Sequence, residues 1–246
     1  MGRRFDHGVT DSTNERALIA LAAGRAIDGD WHVAEEQTTG RGRLGRSWHS
    51  PEGQGLYLSW IHKPTEPLHP AAPSVAAGLA LLDTVNVLGL EGARLRWPND
   101  LMVAEAKLAG ILVETRGFDP TSPAYVVGLG INVTGASLPK ALHDEREVTS
   151  LGQLGLDVEA RDLEAPLLSR LHARFTQAAG LGATELCLHY LEALQLGTGP
   201  VVASTSSASA RGKIAELDLA RGIAIETEAG LAWIPLEFLK ELKGLA

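Results

Sequence analysis

Cysteine is almost absent from this chain. Cys187 stands alone among 246 residues, which excludes an internal disulfide and leaves a buried structural thiol in a reducing compartment as the default. No apolar run reaches the roughly 20 residues that a membrane-spanning helix needs. The opening Met1-Gly2-Arg3-Arg4-Phe5-Asp6 lacks the apolar stretch of a signal peptide, which points to the cytoplasm. Histidines are scattered without a Cys partner or a His-x-x-Glu-His spacing, so they read as surface or satisfied core groups and imply no structural metal site. Excess positive charge is missing too. A formal net charge of −8 argues against general nucleic-acid binding, which depends on surplus Lys and Arg to neutralise phosphates. There is no G-x-x-x-x-G-K-[ST] loop and no internal repeat.

What is present is a local exception. With 45% hydrophobic and 21% charged residues the chain is a soluble globular protein, one large domain or one large plus one small. On this acidic background Gly40-Arg41-Gly42-Arg43-Leu44-Gly45-Arg46 is a positive island. Glycine allows positive φ and close approach of backbone N–H groups, and arginine offers a rigid fork for carboxylates and phosphates. Such an island suits a small anionic ligand better than a polymer, the plain alternative being a solvated basic turn. Gly40, Gly42 and Gly45 satisfy G-x-G-x-x-G, but Ser47 to Gly53, with Pro51 inside it, cannot sustain the helix that a dinucleotide fingerprint requires.

In chain order, Asp11-Ser12-Thr13-Asn14 supplies N-cap residues for a helix with Leu18, Ile19, Leu21 and Ala22 on one face, ending near Gly24. Capping is the first reading of Ser12 and Thr13. Trp31 to Gln37 reads as a strand into the Arg-rich loop and Leu56 to Ile61 as the strand out of it. The intervening Gly40 to Gly55 is too long for a hairpin turn and has the length of a functional loop. Pro70 to Leu90 reads as a helix, Arg94 to Asp100 as a strand broken by a turn, and Lys107–Glu114 and Ala124–Val133 as strands. Glycines inside those strands (Gly110, Gly128, Gly130) mark bulges or close ligand approach. Leu163, Leu167, Leu171 and Phe175 define another helix, and Leu186, Tyr190 and Leu194 one more. The pattern then switches to short strands at Val201-Val202, Lys213–Leu217, Ile223–Thr227 and Leu231–Ile234, with Ser204 to Ala210 a loose loop. This predicts domains at 1–196 and 197–246.

Five segments then fall in a telling order: Ser12-Thr13-Asn14; Gln37-x-x-Gly40-Arg41-Gly42-Arg43-x-Gly45-Arg46-x-Trp48; Trp97-Pro98-Asn99-Asp100; Lys107-Leu108-Ala109-Gly110-Ile111-Leu112-Val113-Glu114; and Gly128-x-Gly130-Ile131-Asn132. In that order and spacing they resemble the biotin protein ligases, over roughly residues 10 to 155. The resemblance implies an α+β fold: a mixed β-sheet catalytic domain flanked by helices, like that of class II synthetases, followed by a small SH3-like β-barrel. It implies an enzyme that activates biotin with ATP and Mg2+ as biotinyl-5′-AMP and then passes biotin to a lysine of a biotin carboxyl carrier protein.

Carried over to this chain, the resemblance assigns biotin binding to Ser12, Thr13, Asn14, Gln37, Gly40, Arg41, Gly42, Arg43, Lys107, Gly110, Gly128 and Gly130. Nucleotide binding falls to Arg41, Arg43, Arg46, Trp48, Lys107 and Asn132. Lys107 and Arg43 take the catalytic roles, as cations near the attacking carboxylate and the α-phosphate. Asp100 is a candidate contact to metal or to the acceptor lysine, with a structural turn aspartate equally open, and no metal ion is fixed by protein alone. Trp48 and Trp97 read first as packing residues. The Ser12 motif leaves no room for an N-terminal helix-turn-helix, so no sequence-specific DNA binding is expected, nor any membrane partner. The adenine-side segment, residues 143–151, keeps Thr149-Ser150-Leu151 but has no aromatic lid before it. Monomer and homodimer both remain open. The arginine loop reads as a clamp that ligand orders. A lipoate or octanoate ligase or transferase of the same superfamily is the alternative, and a non-enzymatic RNA-binding protein a further one.

Overall fold

The computed structural model describes residues 2–117, 119–134, 147–180 and 182–245. The chain runs through β1 (Arg4–Asp6), β2 (Val9–Thr10), α1 (Thr13–Ala22), β3 (Trp31–Ala34), β4 (Glu36–Gln37), β5 (Gly55–His62), α2 (Ala72–Val87), β6 (Ala93–Arg96), β7 (Asp100–Val103), β8 (Ala106–Glu114) and β9 (Tyr125–Asn132). Then follow α3 (Ala160–Ala179), α4 (Ala183–Leu194), β10 (Val201–Ser204), β11 (Ser209–Asp218), β12 (Gly222–Thr227), β13 (Gly230–Ile234) and β14 (Glu241–Gly244). Seven strands make one mixed sheet, ordered β1-β3-β5-β9-β8-β7-β6, with β1 parallel to β3 and the other pairs antiparallel. The five C-terminal strands make a separate antiparallel sheet, β13-β12-β11-β10-β14.

The large sheet has unlike faces, as the two-residue period of a strand allows. Leu58, Trp60, Ile111, Val127, Leu129 and Ile131 point to the side covered by α2, α3 and α4, where the main core lies. α2 is buried almost all round, because the sheet lies on one side of it and α3 and α4 on the other. The opposite face carries α1 over Ile61 and Val126, and beyond that cover it is lined by glycines.

The structure redraws several predicted elements. Trp31–Gln37 is two strands, because the Gly8 carbonyl accepts the N–H groups of both Glu35 (2.7 Å) and Glu36 (3.3 Å) and turns the chain from β1 toward β2. In α1 the buried residues are Thr13, Asn14, Ala17 and Leu18, while Ile19 is exposed, so the predicted apolar face is displaced toward the polar first turn. Ser204–Ala210 is a tight turn, closed by Thr205 N–H to the Ala208 carbonyl, that leads straight into β11. β14, reading Glu-Leu-Lys-Gly, has too little apolar alternation to announce itself, yet it pairs with β10 along its whole length.

The core continues across residue 197. Cys187 and Tyr190 on α4 belong to the same apolar cluster as Val201, Leu217 and Ile223, and burial pushes the Cys187 thiol up to about 11. The Trp97 indole N–H donates to the Leu239 carbonyl at 2.8 Å and its ring meets Tyr190 edge-on, so Trp97 is a packing residue that ties the two sheets together. No helix among the described residues is long and apolar enough to cross a membrane.

Candidate functional site

The glycine-lined face of the sheet, the arginine loop and the C-terminal strand β14 enclose a cavity of about 510 Å3. Its floor follows from strand register. Asp100 on β7 faces Gly110 on β8, which faces Gly130 on β9, so the three share one face. Lys107, three residues before Gly110, would point the other way in a regular strand. A bulge at Leu108, where pairing jumps from Leu101–Ala109 to Met102–Lys107, turns it onto the cavity side. The Lys107 backbone is clamped as well: its N–H donates to the Glu147 carbonyl (2.9 Å) and its carbonyl accepts from Thr149 N–H (3.0 Å).

Lys107 Nζ lies 2.5 Å from Asp100 Oδ1, and Arg96 donates to Asp100 Oδ2 at 2.9 Å. Burial alone would raise the Asp100 pKa, but the Lys107 charge, its hydrogen bond and that of Arg96 hold it below the usual carboxylate value. Asp100 thus stays ionised as the anchor of two cations. The Trp48 ring covers Lys107 Nζ at 5.1 Å and rests on the glycine floor. A Cβ on Gly130 would come within 2.4 Å of Trp48 Cε2, and one on Gly110 within 3.0 Å of Cζ3. The strand glycines here make room for protein side chains, Trp48 above Gly130 and Asn14 above Gly128, which differs from the expectation that they open directly toward ligand.

One wall is neutral and polar. Gln37 Oε1 accepts from the Thr13 backbone N–H (2.9 Å) and hydroxyl (3.1 Å), and Gln37 Nε2 donates to Ser50 Oγ at 2.8 Å. Ser59 Oγ reaches both Thr13 Oγ1 (2.7 Å) and Asn14 Oδ1 (2.5 Å), and its single proton serves one of them at a time. Asn14 Nδ2 donates to Glu114 Oε2 (2.8 Å) and the Leu112 carbonyl (3.3 Å). Ser12 holds the N-cap position but makes no capping bond with its side chain, so the capping expectation fails there. The buried residue lines the cavity instead.

The arginine loop is not an open stretch. Gln37–Ser50 and Arg41–Ser47 bridges, with Trp48 N–H to the Gly40 carbonyl (2.9 Å) and Gly42 N–H to the Arg46 carbonyl (2.7 Å), fold it into a short irregular hairpin. Positive φ occurs at Leu44 (58°) and Gly45 (75°), not at Gly40 or Gly42. Gly40 is needed for a different reason, since a Cβ there would lie 2.3 Å from the Trp48 carbonyl oxygen. The arginines divide. Arg41 is paired with Glu15 and Glu114, each at 3.1 Å. Arg43 lines the cavity without an ion pair among the described residues, and burial lowers its pKa against the pull of Asp100, though an arginine remains charged. Arg46 is exposed at the rim.

Asn132 is buried and donates to the Thr149 carbonyl at 2.9 Å, so in this structure it fixes the segment expected on the adenine side. Of that segment, residues 143–146 lie outside the described residues, and Thr149, Ser150 and Leu151 are buried. Sequence reasoning gave no role to Arg96, Ser59, Lys240 and Lys243, nor to Glu114, on which its fourth segment ends. Arg96 stands directly before a quoted motif and could have been found by its spacing from Asp100. Lys240, just before β14, and Lys243, on it, line the cavity from the C-terminal unit and carried no local signal. Arg41, Arg43, Arg46, Arg96, Lys107, Lys240 and Lys243 line the space against Asp100 and Glu241, a concentration of positive charge on an acidic protein. Among the described residues no three His, Cys, Asp or Glu side chains gather as a metal cage.

A profile described as the Biotin/lipoate A/B protein ligase family matches residues 8–132, half of the chain. The chain belongs to that family. As a family member it is 34% identical over 234 residues to the biotin–[acetyl-CoA-carboxylase] ligase of Paracoccus denitrificans, covering 92% of this chain and 95% of that one. It is 36% identical over 166 residues to the bifunctional ligase/repressor BirA of Escherichia coli, covering 67% of this chain but 51% of the relative, so it spans about half of that protein's length. The biotin protein ligase of Aquifex aeolicus, solved in complex with biotin and ATP, superposes with a TM-score of 0.81 at 26% identity over the whole of both chains.

Proposed function

We propose that this chain is an ATP-dependent biotin protein ligase. The observation that carries the reading is the juxtaposition, in one cavity, of a neutral donor-and-acceptor wall (Thr13, Gln37 and Ser12) and a cationic half centred on Lys107 and Arg43. The ureido head of biotin presents two N–H donors and a carbonyl acceptor to the first, while its valerate carboxylate and the triphosphate of ATP face the second. The names of the Paracoccus relative and of the Aquifex complex support the same substrates.

In the first half-reaction a biotin carboxylate oxygen attacks the α-phosphorus of ATP. The bond to the bridging oxygen breaks and pyrophosphate leaves. Both reactants are anions, so the barrier falls mainly through positioning and compensation of charge, which fixed cations supply. Lys107, held by Asp100 and the bulge, is aimed at the cavity as a point charge, and Arg43 brings its guanidinium from the loop. Asp100, already held by two cations, fits a site in which Mg2+ arrives on the nucleotide phosphates instead of in a protein cage. In the second half-reaction the uncharged amine of the carrier lysine attacks the biotinyl carbonyl carbon, AMP leaves, and the amine loses a proton. No side chain of this chain acts as a nucleophile in either step.

Within the same reading the acceptor is a biotin carboxyl carrier domain, and the five-stranded C-terminal unit from about residue 197 is an SH3-like barrel that brings Lys240 and Lys243 to the cavity. The setting is cytoplasmic, and the protein acts as a monomer or homodimer. The arginine loop tightens when carboxylate and phosphate supply counter-charge to Arg43. Biotin-dependent exchange of labelled pyrophosphate into ATP tests the proposal. Exchange with biotin and none with lipoate is the expected result, and no exchange with biotin would overturn it.

A further inference from the structure

Glu114 ends β8 outside the lining of the cavity, yet its Oε2 touches both halves of the site. It accepts from Asn14 Nδ2 at 2.8 Å on the neutral wall and from Arg41 Nη2 at 3.1 Å on the loop. Glu15, on the first turn of α1, takes the same Arg41 nitrogen at 3.1 Å, and Arg116 closes the group with bonds of 3.1 Å to Glu15 and 3.5 Å to Glu114. Two carboxylates therefore face two guanidiniums, and the charges balance within the cluster.

Resting on the reading of the cavity as a biotin site, we propose that Glu114 is a positioning residue that registers the biotin-side wall against the start of the arginine loop. Three features of its surroundings support this. Asn14 has no room to adapt, because it is wedged above Gly128 and its amide is bonded on both ends. Whatever holds Asn14 Nδ2 therefore fixes the first turn of α1, from which Thr13 reaches Gln37. The Glu114 side chain is only 19% exposed, so its bonds are shielded more than those of a surface ion pair. And Arg41, neutralised by Glu15 and Glu114, has little uncompensated charge to offer an anion, so it pins the base of the loop while Arg43 stays available at the cavity. The two arginines of one short repeat thereby hold different posts.

The test uses the full chain and three proteins: wild type, Glu114→Ala and Glu114→Gln. Biotin-dependent pyrophosphate exchange gives KM for biotin, KM for ATP and kcat, and amide hydrogen exchange over residues 40–46 reports the loop without substrate. Loss of a hydrogen bond to a charged group corresponds to about a tenfold change in binding. Glu114→Ala should therefore raise the KM for biotin by about tenfold while moving kcat and the KM for ATP by less than about threefold, and should speed exchange in the loop. Glu114→Gln keeps an acceptor for Asn14 but loses the charge facing Arg41. It should restore most of the biotin affinity and leave the loop fast. Wild-type values for Glu114→Ala in both measurements would overturn the inference. So would equal losses in all three kinetic parameters for both variants, which is the signature of a general structural defect. A wild-type chain inactive with biotin would sink the reading of the reaction instead, and the loop measurement would still decide whether Glu114 pins Arg41.

Discussion

Gly128→Ala is the smallest change that tests how the site is built. The added Cβ would stand 2.2 Å from Asn14 Oδ1 and 2.9 Å from its Cγ. An ordinary carbon–oxygen contact is about 3.3 Å or more, so the Asn14 amide must withdraw by about 1 Å. It cannot do so and keep its partners, Ser59 Oγ at 2.5 Å and Glu114 Oε2 at 2.8 Å. A neutral hydrogen bond contributes about 0.5–1.5 kcal/mol and one to a charged group about 1.5–3, so the variant should lose about 2–4 kcal/mol. At about 2–4 °C per kcal/mol for a chain of this size, the thermal midpoint should fall by about 4–16 °C. Urea unfolding and the KM for biotin would be measured together, and the KM should rise because Asn14 carries the first turn of α1. The decisive comparison is Asn14→Ala. That change loses the same bonds by itself, so adding Gly128→Ala to it should cost almost nothing further, a non-additivity of about 2 kcal/mol or more. If Gly128→Ala stays within about 0.5 kcal/mol of wild type, or keeps its full penalty in the Asn14→Ala background, the packing argument is wrong.

Lys107→Ala should slow single-turnover adenylate formation by at least about 100-fold, the scale of removing one preorganised charge-stabilising group. An unchanged rate would remove Lys107 from the mechanism. Biotin with ATP should protect residues 40–46 from hydrogen exchange, and Arg43→Gly should abolish that protection, let the adenylate escape and label bystander lysines. Equal retention and equal protection would refute the clamp. Acid should destabilise the protein through His32, whose ring stacks on Phe5 and shares a 2.9 Å hydrogen bond, Nδ1 to Nε2, with His7, and whose pKa is held down to about 4, mainly by burial and then by the His7 charge. Its unfolded value is 6.5, so between those values the unfolded chain binds more protons and stability falls as pH drops through that window, by at most about 3 kcal/mol. His32→Gln should flatten the slope of the urea midpoint between pH 6.5 and 4, and an unchanged slope would assign it to other groups.

The fold was legible where packing is periodic and local. Leu163, Leu167, Leu171 and Phe175 mark α3 because each faces the core at every turn, and all four are fully buried. The failures have a common cause in long-range hydrogen bonding. Nothing within Trp31–Gln37 says that the Gly8 carbonyl will break it, and nothing within Glu-Leu-Lys-Gly says that β10 will recruit it. A strand exists only with its partner, and the partner is not written in the same window of sequence.

The site shows the same limit in electrostatic form. The Gly40–Arg46 stretch presents Arg41 and Arg43 as equivalents, with the same residue type and glycine before each, and sequence reasoning gave both to carboxylate and phosphate. What separates them lies far along the chain: Glu15 on α1 and Glu114 on β8 converge on Arg41, while Arg43 falls beside Asp100 and Lys107. Charge recognition depends on what remains uncompensated after the protein has paired its own groups, and that remainder is a property of the fold. An arginine-rich motif can therefore announce an anion site while leaving open which arginine meets the anion. In the proposed function the meeting falls to Arg43, and to Lys107 because Asp100 faces two cations and leaves one positive charge over, while Arg41 belongs to the scaffold.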